Sequence, residues 1–369
     1  MLRFLKNGLL ITLLFVAAFG LQQCQDTIDL PYLDRDLTQI PYEPILYVPL
    51  IPIEFPRLEQ PADNLMTIDG IHLGRKLFYD PILSIDSTIS CSSCHQQSTS
   101  FTDGLRVSQG VAGTTLRGSM SLINVGFHYQ GLFWDARSPT LETQAIHPVA
   151  DAIEMGENWD HVEEKLQNHS DYPEDFRKAF GIDKASLMTR DLAVKAIAQF
   201  ERSLISGGKT RYDRFARGEI FLEENEYNGY LMFFDTPGVK PAECSHCHAP
   251  PIFAGSDFFN NGLQTSQDFN GFQDKGVGMV TGKPGDMGKF KAPTLRNIAF
   301  TAPYMHDGRF QSLDEVLDHY NSGGQNSPTK NAFIYHLNLT TSEKSDLIAF
   351  ILTLTDSSAL TNPAFQNPF

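Results

Sequence analysis

Four of the five cysteines in this chain of 369 residues fall in two copies of one pattern. Cys91-Ser92-Ser93-Cys94-His95 and Cys244-Ser245-His246-Cys247-His248 are each Cys-x-x-Cys-His, the attachment pattern of a c-type haem. Two thiols at that spacing can each bond to one vinyl group of a porphyrin. The histidine that follows then lies under the ring, where an imidazole nitrogen can ligate the iron. A structural zinc site would be satisfied by the cysteines and gives no reason for a histidine after each pair. A disulfide across two residues is a redox motif of thioredoxin-like strand and helix patterns, which this sequence lacks. The reading is therefore two covalent haems, attached through Cys91, Cys94, Cys244 and Cys247 and ligated by His95 and His248.

Haem is attached to c-type cytochromes outside the cytoplasm, and the N-terminus fits export. Met1 to Lys6 carries two positive charges, and Leu9 to Phe19 is almost wholly apolar. That run is too short to span a bilayer. Residues 1–23 read as a secretory signal peptide, which puts the mature chain in the periplasm. Cys24, in Leu21-Gln22-Gln23-Cys24, stands where a lipoprotein carries its lipid and would tether the chain to the membrane. The two residues before it are larger than the small ones usual there, and a spare cysteine in a cleaved segment is the alternative. No other apolar run approaches ~20 residues.

The formal charge of −15 argues against a nucleic acid partner, because a phosphate backbone needs a basic face. It suits a basic protein donor, or simply a solvated acidic surface. Residues 24–63 contain Pro31, Pro41, Pro44, Pro49, Pro52, Pro56 and Pro61. That spacing forbids long helices and predicts an extended strap or tether. Two units follow, 64–215 and 216–356, each with its haem motif near its start, and 357–369 form a tail. The arrangement suggests a diverged duplication.

The elements that must hold these motifs read as mostly helical. Leu192, Ala196, Phe200 and Leu204 share one face of a helix over Asp191 to Ile205. Ser312 is a good N-cap for a helix through Tyr320, with Asp314 and Glu315 in its first turn and Gly323 beyond its end. Ser342 to Leu354 is amphipathic, with Leu347, Phe350, Ile351 and Leu354 inward. The long stretch Gly255 to Gly288 needs a cofactor to organise it in a compact domain.

Several strings carry a family resemblance. They are Leu73-Gly74-Arg75-Lys76-Leu77-Phe78-Tyr79-Asp80-Pro81, Phe133-Trp134-Asp135-Ala136-Arg137, Glu154-Met155-Gly156, Phe200-Glu201-Arg202-Ser203-Leu204, Pro293-Thr294-Leu295-Arg296-Asn297 and Thr301-Ala302-Pro303-Tyr304-Met305-His306-Asp307-Gly308. In these the chain resembles the bacterial di-haem cytochrome c peroxidase family, which includes the MauG-type enzymes of methylamine utilisation. The resemblance implies an all-α fold of two cytochrome c-like domains, one haem in each, with long loops organised by the haems. It implies that the second haem passes electrons to the first, where peroxide is cleaved. By the same resemblance Trp134 lies between the haems as the electron bridge. Glu154 is the acid beside the peroxide, and its chemistry fits, since O–O cleavage needs a group that takes a proton from one oxygen and returns it to the other. Gln144 and Pro148 match other residues of that pocket.

The chain also departs from the family pattern. Ordinary family peroxidases carry a capping histidine in a Gly-His string after the first motif; here the string is Gly110-Val111, and valine cannot ligate iron. The first iron is thus expected to be open at rest, with His128 and His147 in packing or surface roles. Where the family places a methionine over the second haem, this chain has Tyr320, as MauG-type enzymes do; Met305 and His319 are the competing ligands. The family's calcium ion would lie on the carbonyls of Thr301 and Pro303, but the asparagine that completes its protein ligands is missing, because Arg117 is followed by Gly118. Backbone and water oxygens could complete the shell.

Three functions compete. A peroxidase would reduce hydrogen peroxide with electrons from a small redox protein, a cytochrome c or cupredoxin. A MauG-type enzyme would use high-valent iron to oxidise residues of an unknown partner protein. A plain di-haem electron carrier would need no acid at an open iron, which Glu154 argues against. The sequence leaves a homodimer open. The two motifs predict two haems per chain by the pyridine haemochrome assay, with the colour staying on the protein through acid–acetone extraction; extractable colour, or one haem per chain, would refute the reading.

Overall fold

The run of prolines ends at Pro61, and the first helix forms soon after it. In the computed structural model, which describes residues 34–369, helix α1 (Ile68–Tyr79) starts at Thr67. The Thr67 hydroxyl accepts from the Gly70 N–H, and Pro81 prevents the helix from continuing. The expected signal peptide and Cys24 lie outside the described residues. Helices α2 (Cys91–Cys94), α3 (Leu141–Ala150), α4 (Trp159–Gln167), α5 (Tyr172–Phe180) and α6 (Arg190–Ser203) complete the first half. Helices α7 (Arg211–Ala216), α8 (Glu224–Phe233), α9 (Val277–Thr281), α10 (Leu313–Asn321) and α11 (Thr341–Leu352) make up the second. The structure is mostly helical without being wholly so. Strands β1 (Gln109–Gly110) and β2 (Gly113–Thr114) pair antiparallel, as do β3 (Phe258–Phe259) and β4 (Phe290–Lys291).

The periodicity and caps hold. Helix α6 starts one residue before the stretch read from the sequence and ends two residues short of it, with Ala196, Phe200 and the following Leu204 fully buried and Leu192 half-buried. Ser312 caps α10 by accepting from the Glu315 N–H, and Gly323 follows it at φ 77°. Helix α11 begins one residue earlier than read, because Thr340 and Glu343 form a capping box. Its inward residues Leu347, Phe350 and Ile351 are buried, as is Leu354 beyond its end.

Two glycines decide how the main helices pack. A Cβ on Gly74 of α1 would lie 1.9 Å from the Ala196 carbonyl oxygen of α6, and one on Gly229 of α8 would lie 2.0 Å from the Asp346 carbonyl oxygen of α11. In both crossings the obstacle is backbone, which cannot swing away. Each half thus has one close helix pair and its own apolar core. Leu73, Leu77, Trp159, Phe176 and Ile197 build one cluster in the first half; Phe233, Phe253, Leu317, Leu347 and Phe350 build that of the second.

Finer detail repeats as well. Asn124 and Asn297 both adopt φ 61°, ψ 18° ahead of a short 3-10 turn. Their N–H groups donate to Leu204 and Leu354, just past α6 and α11. The later turns closed by Leu132–Ser138 and Tyr304–Phe310 also correspond.

Residues 35–63 hold no helix and run extended along the body. Leu37, Phe55 and Leu58 are buried, and the Tyr47 N–H donates to the Met66 carbonyl. The tail crosses to the first half, where Phe365 packs near Phe101 and its carbonyl accepts from the Tyr79 hydroxyl at 2.6 Å. No helix among the described residues is long and apolar enough to cross a membrane.

Gly74→Ala should destabilise the protein by about 1–3 kcal/mol through overpacking at a rigid contact. Gly285→Ala, with no atom within 4 Å of the added carbon, should stay within about 0.5 kcal/mol of wild type. Denaturant titration of the two variants checks this, and equal stabilities would rule out the crossing as the constraint.

Candidate active site

Each Cys-x-x-Cys-His string is folded by a local turn. Cys91–Cys94 is a single helical turn capped by Ser90 and Ser93. The chain then reverses so that Gln96 pairs with Thr102, with Phe101 at φ 59°. This aims the Phe101 carbonyl at His95 Nδ1, 2.9 Å away. The second string repeats the device. Ala249 pairs with Ala254, Phe253 sits at φ 55°, and His248 Nδ1 lies 3.3 Å from the Phe253 carbonyl and 3.1 Å from that of Pro293. A proton on Nδ1 shared with a carbonyl leaves the Nε2 lone pair for a metal. Burial holds both imidazoles neutral: it lowers His95 and pushes His248 down to about 4, against the opposing pull of the carbonyls.

The four cysteines are free, and burial pushes Cys94 and Cys247 up to about 11. Among the described residues no cysteine joins a metal-capable donor cluster; the one such group, Asp235, Glu243 and His246, takes only the middle histidine of the second string. The strings face a shared cavity of about 670 Å³ instead, lined by Cys94, His95, Cys244, Cys247 and His248, while Cys91 packs on the core beside it. That volume is in the range of cofactor sites, roughly 300–1,000 Å³. Thiols, imidazoles and apolar walls fit haem: the cysteines would bond the porphyrin, and His95 and His248 would ligate iron.

Gln144, Pro148 and Glu154 line the same cavity, with Phe133 and Arg137. Gln144 and Pro148 are one turn apart on α3, and the Pro148 carbonyl accepts from the Met155 N–H, which ties the Glu154 loop to that helix. Glu154 interacts electrostatically with Cys91 and Cys94, so this wall belongs to the first motif. Burial raises Glu154 above the ordinary glutamate value and the Asp151 carboxylate adds to this, while Arg137 opposes. Arg137 itself stacks 3.4 Å over the Phe133 ring and pairs with Asp135 at 3.0 Å.

Tyr320 and Met305 line the cavity on the side of the second motif, and Tyr320 interacts with Cys247 and Cys244. One group holds both candidates: Asn261 Nδ2 donates to the Tyr320 hydroxyl at 3.3 Å and to Met305 Sδ at 3.4 Å. Burial pushes the phenol up to about 12, with Asn261 opposing. His319 is not on the cavity wall; its Nε2 lies 2.8 Å from the Asn261 carbonyl. The repeat explains the two sites' difference. Pro148 is the eighth residue of α3 and Tyr320 the eighth of α10, so equivalent positions carry a side chain that cannot ligate and one that can.

Val111 does not line the cavity; its N–H donates to the Glu154 carbonyl and its side chain packs toward Gly156. His147 is exposed, its ring edge-on to Phe133. His128 does line the cavity. Trp134 lines the same cavity and touches residues of both halves. Its Nε1–H donates to the Gly118 carbonyl at 2.9 Å, its own carbonyl accepts from the Lys291 N–H, and its ring meets His306 edge-on at 6.4 Å.

Calcium fits less well. Thr301 and Pro303 line the cavity, but Gly118 offers no side-chain oxygen. The carboxylates of Asp135 and Asp274 are both taken by Arg117, at 2.7 and 2.8 Å. An ion there would rest on main-chain carbonyls and water. Asn261 and Lys291 went unread in the sequence. Lys291 stands two residues before a matched string, and Asn261 sits in a loop with no motif.

The family model described as di-haem cytochrome c peroxidase matches residues 69–220. The cytochrome-c peroxidase IdrP1 of Pseudomonas sp. (strain SCT) is 33% identical over 85% of this chain and 87% of its own. The methylamine utilization protein MauG of Methylorubrum extorquens is 33% identical over 82% of this chain and 83% of its own. The crystal structure of a MauG-like protein associated with microbial copper homeostasis superposes with a TM-score of 0.77 at 36% identity, covering 86% of this chain and 98% of that one. With relatives matched along most of their length and both motifs turned to one cavity, the chain belongs to the di-haem cytochrome c peroxidase family.

Proposed function

We propose that this chain is an exported di-haem c-type peroxidase. In this reading hydrogen peroxide is reduced with electrons from a small redox protein, a cytochrome c or cupredoxin. Residues 216–356 would hold the haem that takes the electrons in, and residues 64–215 the haem that spends them. Residues 1–23 would direct export to the periplasm, and Cys24 would offer a lipid attachment point. When bound, the two haems supply the redox chemistry, peroxide cleavage at the first and electron supply from the second. The observation that carries the reading is Glu154, a carboxyl raised by burial on the wall that holds Gln144 and Pro148. Glu154 takes a proton from one peroxide oxygen and returns it to the other. Gln144, one turn before Pro148, orients the peroxide by hydrogen bonding. Pro148 and Val111 leave the position over His95 without a protein ligand. Trp134, fixed through both its indole N–H and its carbonyl, supplies an aromatic path between the sites. An electron carrier has no use for Glu154.

A second reading has its own support. Tyr320 stands where an electron-storing haem of the family would have methionine, and the chain is 36% identical to a MauG-like protein of known structure. A phenolate is a hard anionic donor that favours ferric iron. This would weaken the second site as a store for cytochrome-derived electrons and favour oxidation of residues on a partner protein.

Glu154→Gln should slow peroxide cleavage by about a hundredfold or more. Because Glu154 starts as the base and its carboxyl is raised, the wild-type rate should fall on acidification at a pH above 4.5, the ordinary glutamate value. Arg137→Leu removes a charge that holds Glu154 down, so it should move that fall to higher pH. Stopped-flow kinetics across pH test both, and an unchanged rate in Glu154→Gln removes it from the mechanism.

Tyr320→Met should raise the second haem's potential and speed turnover with a reduced cytochrome. Redox titration and steady-state assays check this. An unchanged potential would exclude Tyr320 as the ligand and leave Met305, since His319 is off the cavity. Fast turnover of a reduced cytochrome by the wild type would decide for the peroxidase reading.

A further inference from the structure

Two buried basic groups that the mechanism does not use meet beside Trp134. Lys291, the second residue of β4, is 3% exposed. Its ammonium nitrogen lies 3.3 Å from His128 Nδ1, and no carboxylate among the described residues pairs with it. Both side chains line the central cavity. The buried His128 Nε2 has no hydrogen-bond partner. With Nδ1 accepting from the lysine, the ring proton sits on Nε2, so the pair presents donors and no acceptor. Other buried cations of this chain have counter-charges: Arg296 pairs with Asp213 at 2.8 Å, Arg202 with Glu142 at 2.8 Å, and Arg117 with Asp135 and Asp274. A lysine and an imidazole N–H buried without an acceptor are costly, and an anion in the cavity would relieve both.

We propose that Lys291 and His128 form a carboxylate-binding site on the cavity wall, and that its ligand is a propionate side chain of a haem held there. The proposal rests on the haem reading above. A porphyrin of this class carries its propionates into the cavity with it, so the anion arrives with the cofactor. Lys291 supplies the charge and His128 Nε2–H a second donor. The Lys291 N–H is already committed to the Trp134 carbonyl at 2.8 Å. The site would therefore fix one edge of the porphyrin against the residue that spans the two centres, which makes Lys291 a positioning residue.

The test uses holoprotein of the wild type, Lys291→Met, Lys291→Arg and His128→Ala. Resonance Raman spectra report the propionate bending band, and spectroelectrochemistry the two potentials. Lys291→Met should shift the band and lower one haem's potential, because an uncompensated carboxylate favours the ferric state. Lys291→Arg, which keeps the charge, should hold that potential close to wild type. His128→Ala should shift the band in the same direction by less. A wild-type band in both Lys291→Met and His128→Ala overturns the proposal. If Lys291→Met yields no holoprotein, an unshifted band in His128→Ala overturns it alone. Wild-type protein with no haem by pyridine haemochrome would instead sink the haem reading and this site with it, so the two failures are told apart.

Discussion

A buried imidazole must satisfy both of its nitrogens, and in each half of this chain a backbone carbonyl takes one of them. The carbonyls of Phe101 and Phe253 reach His95 and His248 because both phenylalanines are left-handed, at φ 59° and 55°. A non-glycine residue pays about 1–2 kcal/mol for that conformation. Glycine would avoid the cost, but both phenyl rings are fully buried. The ring anchors the turn in the core while its carbonyl orients the histidine. The core of each half and the chemistry of its motif are coupled through one residue.

Repetition of this scaffold explains how two similar sites come to differ. The turns closed by Leu132–Ser138 and Tyr304–Phe310 correspond, with Phe133 and Met305 left-handed at φ 65° and 75°. The residues that follow, Trp134 and His306, are therefore counterparts. Gly118 touches both: its carbonyl accepts from Trp134 and its N–H donates to the His306 carbonyl at 3.0 Å. A Cβ on Gly118 would lie 3.0 Å from the Arg106 carbonyl oxygen. Any side chain at position 118 would press on that backbone contact.

The motifs and helix caps were legible because they are local. Cys-x-x-Cys-His closes within a single turn, and Ser312 meets Glu315 three residues on; the Thr340 cap, equally local, was missed. The all-helical expectation missed the two short ladders because two-residue strands carry no period. The domain-scale duplication was only suggested by the motifs, since what repeats is backbone shape at Asn124 and Asn297 rather than side-chain identity. Asn261 and Lys291 escaped notice for a different reason. Each matters through a neighbour far away in sequence, Tyr320 and Met305 for one and His128 and Trp134 for the other, and no spacing rule reaches across those distances.

Burial raises an acid in both sites, with different consequences. Glu154 is opposed by Arg137, whose guanidinium stays partly exposed on Phe133 and shared with Asp135. Its carboxyl is held above the ordinary glutamate value, with Arg137 limiting the rise. Tyr320 has only the Asn261 amide to oppose burial and sits at about 12. As a free phenol it would exchange no proton at neutral pH, and only a bound cation could draw the proton off. The loop after α3 thus places a carboxyl near the first motif, while α10 places a phenol that can only donate or ligate near the second.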